Sequence, residues 1–203
     1  MGYRSTHQAR RELVAVAASQ GGYFTAKQAA AAGYGKRHVD YHVKAGNFER
    51  IERGLFRLPT IPTAEHDDLI RLSLWSRGRD DTPQAVISHE TALAVHGLGT
   101  LLPTRTHLTV PPSFRKRPPD GCTLHKATLR DDDTEDREGF RVTTPLRTLF
   151  DVAADRAVTQ DQLNEIVKQA IADGAVRRST LAQHAQREAA TPRLSAAIDA
   201  AEA

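Results

Sequence analysis

Residues 33–58 read Gly33-Tyr34-Gly35-Lys36-Arg37-His38-Val39-Asp40-Tyr41-His42-Val43-Lys44-Ala45-Gly46-Asn47-Phe48-Glu49-Arg50-Ile51-Glu52-Arg53-Gly54-Leu55-Phe56-Arg57-Leu58. Residues 36–45 predict a helix, and Gly46 stops it. Val39 and Val43 are four apart and share an inward face, with Tyr34 packing just before it. Lys36, Arg37, Asp40, Tyr41 and Lys44 are left on the outer face. Residues 48–51 and 55–58 predict two short strands, joined by Glu52-Arg53-Gly54 as the turn. Pro59 and Pro62 then close the unit and form a linker.

Upstream, residues 7–19 predict a helix in which Leu13, Val14, Val16 and Ala17 fall close to helical spacing. Gly21-Gly22 ends it. Thr25 is an N-cap for a short helix over residues 26–32, which Gly33 stops. Helix, helix, tight turn, helix and hairpin is the order of a winged helix-turn-helix. A helix with an apolar inner face and a cationic outer face suits the major groove of DNA. The candidate DNA-binding residues on it are Lys36, Arg37, His38, Tyr41 and Lys44. Lys36 and Arg37 lie at its N-terminal end, where base contacts are usually made. Arg50, Arg53 and Arg57 line the hairpin and are placed to grip phosphates. His42 sits beside the Val39/Val43 face and reads as a packed residue. Asp40 would repel phosphate, so it is expected to pair with Arg37 or Lys44 on the helix surface.

The charge distribution agrees. The 203 residues hold 28 Lys/Arg and 25 Asp/Glu, a net charge of +3. Residues 1–60 hold ten Lys/Arg (Arg4 among them) against four Asp/Glu, a net +6, and the remainder holds 18 against 21, a net −3. A basic front suggests a polyanionic partner. Hydrophobic residues make up 39% and charged residues 26%, which argues for a globular chain and against wholesale disorder. No apolar run approaches the roughly 18 residues of a membrane span. Residues 1–8 are polar and lack the apolar centre of a signal peptide. Cys122 is the single cysteine, which excludes an internal disulfide and a cysteine-based zinc finger. A cytoplasmic protein with no membrane partner is expected.

Residues 61–203 predict a second domain, larger and of mixed α/β type, with a small sheet and a helical C-terminal tail. The expected class of the whole chain is α+β, with a winged helix-turn-helix in residues 1–60. Thr63 is read as the cap of a helix over residues 64–76, with Leu69, Leu72 and Trp75 on one face. Ala85-Val86-Ile87 reads as a short buried segment, and Ser88 caps a helix that Gly97 ends. Residues 106–110, 123–129 and 140–143 predict strands. The acid-rich segment 130–139 is expected to be a loop. Thr144 and Pro145 start another helix. Thr159 starts the next, with Leu163, Ile166, Val167 and Ile171 on one face and Gly174 as its stop. Residues 179–186 and 192–201 predict shorter helices.

Catalytic patterns are sparse. Asp131-Asp132-Asp133 with Glu135 and Asp136 are close in sequence, but a restriction-type nuclease core needs Glu-x-Lys, and none occurs. These acids are expected to form a solvated face. His89 and His96 are two helical turns apart, roughly 10 Å, too far to chelate one metal. His89, next to the Ser88 cap, is read as structural. Cys122 has no activating partner in sequence, and no phosphate-binding glycine loop is present. No catalytic residue, metal or cofactor is therefore expected.

The residues themselves carry a family resemblance. The strings are Phe24-Thr25-Ala26-Lys27-Gln28-Ala29, Gly33-Tyr34, Val43-Lys44-Ala45-Gly46-Asn47-Phe48-Glu49-Arg50-Ile51 and Arg53-Gly54-Leu55-Phe56-Arg57-Leu58-Pro59. They resemble the N-terminal domain of the AbiEi-type antitoxins. Ile87-Ser88-His89-Glu90-Thr91-Ala92-Leu93, His96-Gly97-Leu98, His107-Leu108-Thr109-Val110-Pro111, Val142-Thr143-Thr144-Pro145 and Arg147-Thr148-Leu149-Phe150-Asp151 are similar to that family's C-terminal part. The resemblance spans about residues 8–155. It implies a bifunctional antitoxin of a type IV toxin–antitoxin pair. The N-terminal domain would bind inverted repeats at its own promoter and repress transcription. The C-terminal domain would counteract a nucleotidyltransferase-like toxin. Relatives with an appended endonuclease-like domain are longer than this chain, which favours antitoxin over nuclease. One departure is Gly35, where a Ser or Thr would be expected at the helix cap; it costs a few tenths of a kcal/mol.

Two other readings keep different consequences. A stand-alone winged-helix regulator would use its C-terminal domain to sense a ligand or to oligomerise. A degenerate nuclease-like enzyme would cleave DNA through Asp132 or Asp133. Arg115-Lys116-Arg117 could serve DNA in a supporting role under any of them.

Overall fold

The structure, a computed structural model, describes residues 6–188 and 190–201. Arg4 and most of the polar opening segment lie outside the described residues. The fold is α+β, as expected. It divides into two compact units, Met1–Pro83 with Arg137–Phe140, and Gln84–Asp136 with Arg141–Ala203.

The first unit begins with α1 (Thr6–Ala18). A three-residue strand, β1 (Tyr23–Thr25), leads into α2 (Ala26–Ala31), and α3 (Lys36–Lys44) follows. The hairpin is β2 (Glu49–Glu52) and β3 (Leu55–Arg57). Thr25 caps α2 as the sequence predicts. Its hydroxyl accepts from the Gln28 amide, and the Gln28 side chain accepts from the Thr25 amide, a reciprocal capping box.

β1 is absent from the sequence reading, which passes from Gly21-Gly22 straight to the Thr25 cap. It completes a three-stranded antiparallel sheet of order β1-β3-β2, with Phe24 opposite Phe56. Gly21 and Gly22 make the entry with φ of 59° and 91°, a conformation that side chains resist. A Cβ on Gly21 would also lie 2.8 Å from Ile70 Cδ1. The pleat turns Phe24 and Phe56 inward, onto Leu13, Ala29 and Val39 of the three helices.

The first unit does not stop at residue 60. α4 (Asp67–Trp75) belongs to it, where the sequence suggested a second-domain helix. Tyr23 Oη donates to Asp67 Oδ2 at 2.9 Å, and Arg77 Nη2 donates to Gln20 Oε1 at 2.6 Å. Burial, then the Asp67 contact, pushes the Tyr23 phenol up to about 12. α4 is also shorter than expected. His66, not Thr63, precedes it, because the Thr63 hydroxyl accepts from Arg57 instead.

Apart from Arg137–Phe140, the second unit holds a five-stranded sheet of order β6-β5-β4-β8-β7. The strands are β4 (Val86–Ile87), β5 (Thr106–Val110), β6 (Cys122–Lys126), β7 (Thr134–Arg137) and β8 (Phe140–Thr143). β4 is central and apolar, antiparallel to β5 and parallel to β8, while β5 and β6 run parallel. The helices are α5 (His89–His96), α6 (Pro145–Ala154), α7 (Gln160–Ala172), α8 (Arg178–Arg187) and α9 (Pro192–Ala200). Thr144 with Pro145 opens α6 and Thr159 opens α7 as predicted, and Gln162 completes a capping box with Thr159. Leu93, Leu149, Val152, Leu163, Ile166 and Leu194 form the core of this unit.

The acid-rich segment is not simply a solvated loop. Residues 134–137 are β7, and Asp133 is buried. Its carboxylate accepts from the Arg130 amide (2.9 Å) and guanidinium (3.1 Å), with Arg147 Nη1 at 3.4 Å. Asp131 and Asp132 do face solvent. Among the described residues no helix is long and apolar enough to cross a membrane.

Candidate nucleic-acid interface

α3 is anchored from within. Val39 is buried and Val43 half-buried, and Tyr34, His42 and Phe48 form an aromatic group beneath the helix. His42 lies 4.7 Å from Phe48 and 5.4 Å from Tyr34, centroid to centroid. It packs, as its position predicts. Burial, then neighbouring His38, holds it below the ordinary imidazole value.

The outer face carries the candidate residues. Lys36, Arg37, His38, Tyr41 and Lys44 are all exposed. Tyr41 is 66% exposed, an unusual position for an aromatic ring in a folded domain. No side chain caps the helix at Gly35. A Cβ there would meet nothing within 4 Å, so packing within the chain does not demand the glycine.

The hairpin arginines differ from one another. Arg53 is exposed at the turn. Arg50 reaches back to α3 and donates to Asp40 Oδ1 at 2.8 Å, with its Cζ 5.0 Å from the Phe56 ring centroid. Asp40 therefore pairs with the hairpin, not with Arg37 or Lys44. The strand brings a guanidinium to the carboxylate across the fold, a contact that helical spacing cannot reveal. This exposed pair contributes little stability on its own, about 0–1 kcal/mol, but it neutralises the one acid on α3.

Arg57 departs from its expected role on phosphate. Its side chain is only 12% exposed. Nη2 donates to the Ile61 carbonyl at 2.6 Å and to the Thr63 hydroxyl at 3.2 Å, and Nη1 lies 3.5 Å from Glu49. The guanidinium thus ties the linker to the sheet.

In the second unit, Arg115, Lys116 and Arg117 are exposed on the segment after β5. Arg147 holds Asp151 at 2.8 Å and lies near Asp133, so these acids are committed to internal ion pairs. Burial raises the Asp151 carboxyl above its ordinary value, and Arg147 opposes the shift.

One grouping was not legible in the sequence. His89, His107 and His125 converge, with a ligand atom of each within 4.8 Å of the others. His107 Nδ1 and His125 Nε2 share a hydrogen bond at 3.0 Å, and the His89 and His125 rings stack at 3.6 Å. The Ser88 hydroxyl, expected to cap α5, makes no helix bond. It accepts from Thr109 Oγ1 at 2.8 Å and bonds His89 Nδ1 at 3.0 Å. Burial, then the neighbouring His125 and His107, brings His89 down to about 3. His96 lies apart, with Nε2 donating to the Thr143 carbonyl at 2.7 Å.

Comparison with known proteins supports a regulator with this division. Residues 11–59 match the family model of a transcriptional regulator, AbiEi antitoxin. Residues 84–198 match that of the AbiEi antitoxin C-terminal domain. Neither family is an enzyme family. No curated protein matches the chain. Among solved structures, the crystal structure of RV2827C protein from Mycobacterium tuberculosis is similar in fold. The TM-score is 0.57 at 18% identity, over 98% of this chain and 79% of that one. Two family models in order, the second alone matching more than half of the residues, show that the chain belongs to the AbiEi antitoxin family, as a DNA-binding antitoxin regulator.

Proposed function

We propose that the chain is the antitoxin of a type IV toxin–antitoxin pair, that it represses its own operon by binding inverted repeats in the promoter, and that it counteracts a nucleotidyltransferase-like toxin. DNA recognition falls to the first unit, through its residues 1–60, and antitoxin action to the second unit, which begins at Gln84. The observation that carries the reading is α3, with its solvent face of Lys36, Arg37, His38, Tyr41 and Lys44 over a buried Val39. Lys36 and Arg37 reach base edges in the major groove. Arg53, and Arg50 beside Asp40, meet backbone phosphates. The uncapped first-turn amides of α3 suit a phosphate oxygen as well.

Arg53 and Arg57 separate a phosphate contact from an internal tie. Arg53→Ala is expected to reduce the slope of log affinity against log salt by about one, with the fold unchanged. Arg57→Ala is expected to lower the melting temperature and leave the slope as it was. Fluorescence anisotropy over a salt series measures the slopes, and thermal unfolding measures the melting temperatures. A reduced slope for Arg57→Ala would return it to the phosphate set.

The wider reading is tested by co-expression with the neighbouring gene, scored for growth. Rescue of growth by this chain, together with promoter binding, is the expected result. Promoter binding without any rescue would point to a stand-alone regulator.

A further inference from the structure

We propose that His89, His107 and His125 form a binding site for one divalent transition-metal cation, with three imidazole ligands and one open coordination position. This site lies in the second unit and is separate from the DNA-binding reading.

The placement follows from the backbone. β5 and β6 run parallel with His107 opposite Thr123 and Thr109 opposite His125. Side chains two apart on a strand share a face, so His107, Thr109, Thr123 and His125 line the same side of the sheet. His89 starts α5 and stacks on His125 over that side. Three rings thus lie together, and a ligand atom of each lies within 4.8 Å of the others. A tetrahedral zinc site with Zn–N bonds of about 2.0–2.1 Å places its nitrogens a little over 3 Å apart. The metal would replace the proton that His107 Nδ1 and His125 Nε2 share, each ring keeping its proton on the other nitrogen, and the His89 ring would swing out of its stack on His125 to bring its lone pair to the same point.

The surroundings orient the ligands. Ser88 Oγ holds His89 Nδ1, and Thr109 Oγ1 holds Ser88 in turn. That leaves His89 Nε2 as the coordinating atom, with an outer partner on the other nitrogen, the usual arrangement of metal-bound histidine. Thr91 Oγ1 accepts from the His107 amide at 2.9 Å and fixes that end of β5. The negative charge of Asp155 acts on both His89 and His125, and the Arg147 cation opposes it at His89. His89 also has φ of +53°, a strained conformation for a side-chain-bearing residue. Such strain concentrates where a side chain must be aimed.

The ligand set selects the metal. Imidazoles suit zinc, copper, nickel, iron and cobalt, whereas magnesium and calcium demand oxygen. With three protein ligands, the fourth position is left to water or to a group from a partner.

The test uses untagged full-length protein stripped of metal with a chelator. Co²⁺ is added and followed by visible absorption, Zn²⁺ by calorimetry, and Mg²⁺ serves as the hard-cation arm. One equivalent of Co²⁺, displaced by Zn²⁺ and unaffected by Mg²⁺, is the expected result. His107→Asn and His125→Asn should each weaken Zn²⁺ binding roughly tenfold or more. His66→Asn and His184→Asn should bind as the unchanged protein does. NMR of the unchanged protein gives a reading independent of any variant: of its nine His, only His89, His107 and His125 should shift on Zn²⁺ addition. No stoichiometric uptake, or shifts at other histidines alone, overturns the proposal.

Discussion

Phe24→Ala is expected to destabilise the first unit by about 3–5 kcal/mol, the range for removing a buried aromatic ring. Phe24 has no exposed surface. It packs edge-on to Phe48 at 5.0 Å and stacks on Phe56 at 5.6 Å, so one ring joins β1, β3 and the segment after α3. Its loss leaves a cavity under the helix that carries the basic face. Against a typical total of about 5–15 kcal/mol, such a deficit leaves little margin. Phe24→Leu keeps much of the volume and is expected to cost clearly less. Urea unfolding of the two variants beside the unchanged protein measures the difference. Equal midpoints for Phe24→Ala and the unchanged protein would refute the assigned core.

The parts legible in the sequence were those written locally. Thr25, Thr144 and Thr159 announce their helices because a cap and its partner lie three residues apart. Gly46, Gly97 and Gly174 mark helix ends because φ is positive there. β1 escaped because three residues are too few to display an alternation. Thr63 and Ser88 misled for a shared reason. Each hydroxyl has a nonlocal partner, Arg57 for one and Thr109 for the other, and each therefore forgoes the cap.

The candidate site divides in the same way. The outer face of α3 follows from helical periodicity alone. The Asp40–Arg50 pair and the burial of Arg57 depend on how the hairpin returns, which no spacing rule encodes. The three histidines are joined only by the parallel pairing of β5 with β6 and by the start of α5. In sequence they are isolated residues, and the near pair His89 and His96 draws attention to the wrong partner.

The second large effect concerns Lys36 and Arg37. Both are exposed at the first turn of α3, and neither side chain has a hydrogen bond or ion pair among the described residues. Replacing both by alanine is therefore expected to shift folding stability by no more than about 0.5 kcal/mol. Removing a side chain that reads a base edge costs about 1–3 kcal/mol, which corresponds to roughly 5- to 150-fold in affinity. Neighbouring residues need not contribute additively, so the double variant is compared with both single ones. Binding to an unrelated duplex should fall much less, since in the proposed reading that component rests on phosphate interactions made by Arg50 and Arg53. The decisive measurement is a gel-shift titration of the chain's own promoter with the unchanged protein and the Lys36→Ala/Arg37→Ala variant, at one stated salt concentration. If α3 reads the operator, the unchanged protein binds the promoter specifically and the double variant loses that preference, with the unfolding midpoint unchanged. Promoter binding by the double variant as tight as that of the unchanged protein would contradict the assignment of α3.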